Sequence, residues 1–326
     1  MPAVQANKPD YPCQAQFHKR WGHLNDPHVR ALAWLLSAPD LLDPHAPQWQ
    51  GKIATLPDSM LDGLDAWLAT IDRDPAELHL YLDVQPFTRL GRYAEKLMAF
   101  YLEHRRVLVA HGIQVQAGKN STIGEFDFLL RSGGQFIHWE FATKFYLLES
   151  SGAGSDADYF VGPNLADTLG AKMHKILDRQ LLLSTHPAAQ VHLPEPVNLA
   201  QALVKGWLFY PDSAQQEMRA FGTSIAHCRG FWCSFSDTLY MHAERYAILP
   251  RLQWLAPAKL SLQQTMERPA LQNFLADYFV HDTMPVLVAL LEVKDGIALE
   301  TSRGFIVPDD WRNRAGQRIK LAHPRA

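Results

Sequence analysis

The apolar and polar positions divide the chain into short helices, then strands, then a mixture of both. "DPHVRALAWLLSAPDLL" (26–42) predicts a short amphipathic helix ended before Pro39, and "PDSMLDGLDAWLATI" (57–71) a second with Asp58 or Ser59 as its cap. From Thr88 to Arg105, Leu90, Tyr93, Ala94, Leu97, Met98, Tyr101 and Leu102 recur at the spacing of one helical face. "GIQVQAG" (112–118) alternates as a strand. Two further strands, within 124–132 and 135–148, meet at Gly133-Gly134 as a hairpin. "SSGAGSDADYFVGPN" (150–164) reads as a loop, and 165–184 as a helix on Leu165, Leu169, Met173, Ile176 and Leu177. "ALVKGWLFYP" (202–211) is strand-like. Beyond it the pattern predicts a strand pair near 230–250, a helix near 258–280 and a hairpin turning at Asp295-Gly296. "STHPAAQVHLPEPVN" (184–198), with three prolines, is the best candidate boundary. The whole predicts an α/β core with helical and β additions.

The first hairpin is apolar enough to be buried, yet it carries Glu125, Asp127, His138, Glu140 and Lys144. Alternate strand residues share a face. A two-residue turn pairs Ser132 with Gln135 and sets Asp127 opposite Glu140. Carboxylates roughly 5 Å apart across two strands repel. A divalent cation bound by oxygens, Mg²⁺ or Mn²⁺, relieves that repulsion. A nearby lysine can offset charge that builds up at phosphorus.

Composition changes this picture little. The 326 residues are 47% hydrophobic and 20% charged, with net charge −3. Such a chain is not a general polyanion binder, although local basic faces remain open to it. No apolar run reaches about 18 residues, so no transmembrane helix is expected. The N-terminus lacks the apolar stretch of a secretory signal. Three cysteines, Cys13, Cys228 and Cys233, argue for a reducing cytoplasm over a disulfide framework.

The motifs "RLGRYAEKLMAFYLEH", "GEFDFLL" and "HWEFATKFYL" together resemble the PD-(D/E)XK nuclease-like superfamily. With "GPNLADTLGAKMHKIL" and "RQL" they are similar, more narrowly, to the bacterial domain-of-unknown-function family 1853. The resemblance implies a restriction-endonuclease-like core (helix, three-stranded meander, helix, strand) over 88–210. A helical segment, 1–87, would precede it and a mixed α/β extension, 211–326, would follow. It also implies a metal-dependent phosphodiester hydrolase acting on nucleic acid. Asp127 and Glu140 would hold the metal, Glu95 would reach it directly or through water, and Lys144 would act on water or phosphate. Glu125 is the reserve ligand. The sequence departs from the superfamily pattern at Ala142, where an acid is wanted two residues before the lysine. Either a bulge shortens the strand between Glu140 and Lys144, or Lys144 serves a phosphate away from the metal, or the site has lost its chemistry. The competing reading is an inactive nuclease fold that binds nucleic acid or a protein.

Lys172, Lys175 and Arg179 form a candidate phosphate-binding face, with Gln180 beside them as a substrate-positioning group. Arg89, Arg92, Lys96, Arg105 and Arg106 make the first core helix basic, and Lys119 and Asn120 are weaker phosphate candidates. Two patterns are decoys. Glu292-x-Lys294 abuts a turn, where charge is expected. His227, Cys228, Cys233 and His242 fit no zinc spacing.

Overall fold

The computed structural model describes residues 13–82, 89–118, 121–149, 157–211 and 222–322. Five helices come first: α1 (Cys13–Trp21), α2 (Pro27–Ser37), α3 (Asp58–Leu61), α4 (Leu64–Arg73) and α5 (Ala76–Leu82). Asp26 caps α2 by accepting from the N–H groups of His28 and Val29, and Pro27 opens its first turn. The expected helix over 57–71 is two helices. Gly63, at φ 70°, breaks it, and neither Asp58 nor Ser59 is the cap: the N-cap residues are Pro57 and Gly63.

Next come α6 (Leu90–His104), β1 (Leu108–Gly118), β2 (Ser121–Ser132), β3 (Gln135–Leu148), β4 (Phe160–Val161), α7 (Leu169–Lys175) and β5 (Leu199–Pro211). Thr88, where the first core helix was expected to start, lies outside the described residues, as do 150–156 of the expected loop. The rest of that loop is a 3-10 turn and β4, which pairs with the end of β3. Thr168 caps α7 through its hydroxyl, so this helix starts later than its apolar spacing implies. It continues as a π turn over Ile176–Gln180 and a 3-10 turn over Leu181–Thr185.

The remaining elements are β6 (Cys228–Ser234), β7 (Arg245–Ile248), β8 (Lys259–Ser261), α8 (Arg268–His281), β9 (Val286–Lys294), β10 (Ile297–Val307) and α9 (Trp311–Ala322). The helix expected near 258–280 begins only at Arg268, after β8. The strands expected as a pair near 230–250 do not pair with each other. Instead β6 lies between β5 and β10, and β7 lies against β9.

All ten strands join one mixed, mostly antiparallel sheet, ordered β1-β2-β3-β5-β6-β10-β9-β7, with β4 on β3 and β8 on β10. The parallel pairs are β3/β5, β5/β6 and β6/β10. Both expected hairpin turns form. Gly133 and Gly134 have φ of 59° and 75°, and Asp295 and Gly296 have 51° and 78°. Two successive positive φ values match the twist of the flanking strands. Helices cover both faces of β3. Trp139, Phe145 and Leu147 pack in the cluster that holds Leu97 and Tyr101 of α6, while Ala142, Tyr146 and Leu148 pack with Met173 of α7 and Ile176 of the π turn. Among the described residues no helix is long and apolar enough to cross a membrane.

Candidate active site

The expected register holds from Ser132↔Gln135 to Phe128↔Trp139 and stops there. One step further, the Phe141 N–H donates to the Asp127 carboxylate, at 2.9 Å, in place of a ladder carbonyl. Strand β2 turns over at this point. Phe126 packs with Leu129 and Phe136, whereas Phe128 packs with Leu130 and Trp139 in a different cluster. Residues two apart on a flat strand would share a face. Across from Asp127, on β1, the chain passes through Gly112 at φ 63°. The distortion brings the Asp127 carboxylate towards α6, where Glu95 projects.

Three carboxylates converge there. Glu95, Glu125 and Asp127 each offer an oxygen, and these oxygens lie within 4.8 Å of one another. All three residues are half-buried. The cation in contact is Arg92, one turn before Glu95, which reaches Glu125 at 3.2 Å from a half-exposed position. Burial, then the Asp127 and Glu125 charges, pushes Glu95 up to about 7, against the pull of Arg92. Burial, then Glu140, raises Asp127 to about 7 despite the hydrogen bond from Phe141. Glu125, expected as the reserve, stands in the trio itself.

Glu140 is not one of that trio. It is 2% exposed and turned towards the α7 side. There His138 Nε2 lies 2.9 Å from its Oε1, and the Gln180 amide donates to its Oε2. Burial raises its pKa above the usual carboxylate range; contact with Asp127 and the Lys172 charge pull the other way. Asp127 and Glu140 each act on the other's titration, and burial raises both. Gln180 is half-buried, with its amide on Glu140. The π turn brings it there, since its wider winding shifts the phase of every side chain after Lys175.

No bulge draws Lys144 back towards Glu140. The β3/β5 ladder runs without a shift from Ile137↔Leu199 to Leu147↔Phe209. Four residues of strand cover about 13 Å. Opposite Lys144 is Gly206, whose Cβ would lie 2.0 Å from the Lys144 carbonyl oxygen, so only glycine fits. Burial, then the Lys172 charge, lowers Lys144 to about 8, while Asp167 and Asp127 oppose the shift. Lys172 is half-buried beside Glu140 and Lys144; Lys175 and Arg179 are exposed.

The other candidates disperse. Arg105 is bonded to the carbonyls of Ser59 and Asp62, and Lys96 lies over the Tyr81 ring. Lys119 and Asn120 lie outside the described residues. Glu292 and Lys294 are exposed. His227 is bound to the Tyr210 hydroxyl, Cys228 and Cys233 sit in separate clusters, and His242 is exposed. Sequence reasoning placed His138 on the charged face but gave it no role. The alternation His138-x-Glu140 is the signal that ties the two together.

Fold and site define a mixed α/β protein with a half-buried acidic pocket beside a basic helix. The chain belongs to the family described as Domain of unknown function (DUF1853), whose model matches residues 30–307. That span runs from α2 to the end of β10 and contains the whole pocket. No curated protein and no solved structure matches it.

Proposed function

We propose that the protein is a metal-dependent nuclease that hydrolyses phosphodiester bonds of nucleic acid, with Mg²⁺ or Mn²⁺ as its cofactor. The carrying observation is the convergence of Glu95, Glu125 and Asp127. In an octahedral Mg²⁺ site oxygens on opposite sides are about 4.2 Å apart. Three oxygens within 4.8 Å are close to that spacing before any cation draws them in. A divalent cation there would supply Lewis-acid stabilisation of a phosphoryl group. The order α6, meander β1-β2-β3, α7, parallel β5 supports assigning this part to the restriction-endonuclease-like fold. Lys144 and Lys172 offer positive charge to a phosphate, and Lys175 and Arg179 extend that charge to the surface.

One observation favours a second reading, a nuclease fold that binds nucleic acid without cutting it. The unbulged β3 leaves Lys144 one full repeat further from the acids than the superfamily pattern wants. One experiment separates the two. Mg²⁺ or Mn²⁺ should raise the melting temperature, by mass action worth about 2.7 kcal/mol at a hundred times Kd, and Asp127→Asn should abolish the gain. Single- and double-stranded DNA and RNA are then incubated with the protein in Mn²⁺ and in EDTA. Cleavage in Mn²⁺ alone, lost in Asp127→Asn, supports the nuclease. Metal-independent binding that weakens with salt, with no cleavage, supports the binder.

A further inference from the structure

Glu140 is clamped from two sides, and one half of the clamp leaves a buried nitrogen without a partner. His138, two residues earlier on the same strand, is 0% exposed. Its ring stands edge-on to Phe126, with centroids 4.8 Å apart, beside the cluster of Val115, Leu129, Phe136 and Leu183. Nε2 meets Glu140, but Nδ1 is buried without a partner among the described residues, and so is Gln180 Oε1. Whichever of His138 and Glu140 holds their shared proton, Nδ1 stays unsatisfied. A phenylalanine would fill this apolar pocket without the orphaned nitrogen, but it would leave the buried Glu140 Oε1 without its partner. An unpaired buried polar atom lowers stability, so packing alone does not account for a histidine here.

We infer that His138 is a positioning residue for the acidic pocket, its Nε2 fixing the Glu140 carboxyl against Asp127, with Gln180 as the second clamp. This rests on the metal-site reading above. Carboxylates around a bound cation are themselves hydrogen-bonded, and removing such a partner typically weakens metal binding 10- to 100-fold. Lys172, Glu95 and Glu125 act on Glu140 through charge; the two hydrogen bonds set which way it faces.

The test is Mn²⁺ binding to the full chain by titration calorimetry, with melting followed in EDTA. His138→Phe keeps the shape and removes the donor. It should weaken Mn²⁺ binding measurably, and it should lower the melting temperature in EDTA, because Glu140 Oε1 loses its partner. His138→Gln, whose amide reaches the place of Nε2, should keep most of the affinity; His138→Asn, one carbon shorter, should not. The Gln/Asn pair decides the matter even where the Phe variant fails to fold. Wild-type affinity in both His138→Phe and His138→Asn overturns the inference and leaves the metal site standing. A wild type that binds no Mn²⁺, or an Asp127→Asn variant that binds it normally, overturns the metal site and this inference with it.

Discussion

Two groups of buried charge in this protein are built on opposite terms. Glu300 and Arg303 on β10 have fully buried side chains. The Arg303 guanidinium donates to both Glu300 oxygens, at 2.6 and 2.8 Å, and to the carbonyls of Trp254 and Ala256. Glu300 also accepts from the Ala258 N–H at 2.8 Å and from Gln14 at 3.4 Å. The acidic pocket has three converging carboxylates and one half-exposed guanidinium. Both Glu300 oxygens have donors and the guanidinium is matched by carboxylate and carbonyl acceptors. The pocket is short of positive charge, so a cation would lower its energy. Saturation marks the first as part of the scaffold, and the deficit is what the proposed cation would fill in the second.

The largest effect should come from breaking the saturated pair. Arg303→Met leaves a buried carboxylate with neutral donors and strips two carbonyls of theirs. Removing one member of a buried pair costs about 3–5 kcal/mol. Urea denaturation should show a loss of that size, and Arg303→Met/Glu300→Leu should recover part of it. A loss below about 1 kcal/mol would mean that the network does not hold β10 to the loop at 254–258, and would remove the contrast.

Next in size is a gain. In Glu95 and Asp127 the folded-state pKa lies near 7, above the ordinary carboxylate range, with burial the foremost cause. Between the two ranges the native chain holds protons that the unfolded chain has released, so this contribution to stability falls as pH rises. It is intact below about pH 4 and gone by about pH 8. Asp127→Asn removes one such group. In EDTA it should stabilise the protein by roughly 2 kcal/mol at pH 8, after discounting for partial exposure, and by almost nothing near pH 4. Burial pushes His18, His138 and His227 down to about 4, which works in the opposite direction. Their contribution is lost as pH falls from about 6.5 towards 4, because the unfolded chain takes up the proton first. The Asn variant should therefore flatten the alkaline limb of a stability profile and leave the acid limb unchanged. Equal gains at both ends would sink the assignment.

The same contrast separates what was legible in the sequence from what was not. Helix α6 was readable because its apolar positions repeat locally. The register of β2 and β3 was readable because Gly133-Gly134 adopts without strain the two positive φ values a tight hairpin turn requires. Register and resemblance led to Asp127, Glu140 and Glu95 as candidates, and the structure brings Glu95 and Asp127 together with Glu125. The turn-over at Asp127 was not readable: a side chain replaces a ladder carbonyl there, and no local propensity encodes that exchange. It is also what brings Glu125 into the trio, while Glu140 keeps the regular alternation of β3 and faces α7. The π turn that carries Gln180 inward lay inside an unbroken helical pattern. The partners of β6 and β7 depend on how the whole sheet closes, so their local strand signals were right while their pairing was wrong.

The smallest effect sharpens the comparison most, because it uses the same residue type in both places. Arg92, like Arg303, faces a glutamate within hydrogen-bonding distance, at 3.2 Å. Its side chain is 56% exposed, so water already solvates the charge it gives up in the pair. Exposed pairs contribute about 0.2–1 kcal/mol. Arg92→Ala should lower stability by no more than that, and by less in high salt, where screening shortens the reach of surface charge. Arg92 also opposes the upward shift of Glu95. Its loss leaves the three carboxylates with less positive charge, so a bound cation should compensate more. The melting gain on adding Mn²⁺ should be at least as large in Arg92→Ala as in the wild type. A smaller gain would mean that Arg92 helps hold the pocket in shape, and the acidic site would then be more like the Arg303 network than its exposure implies.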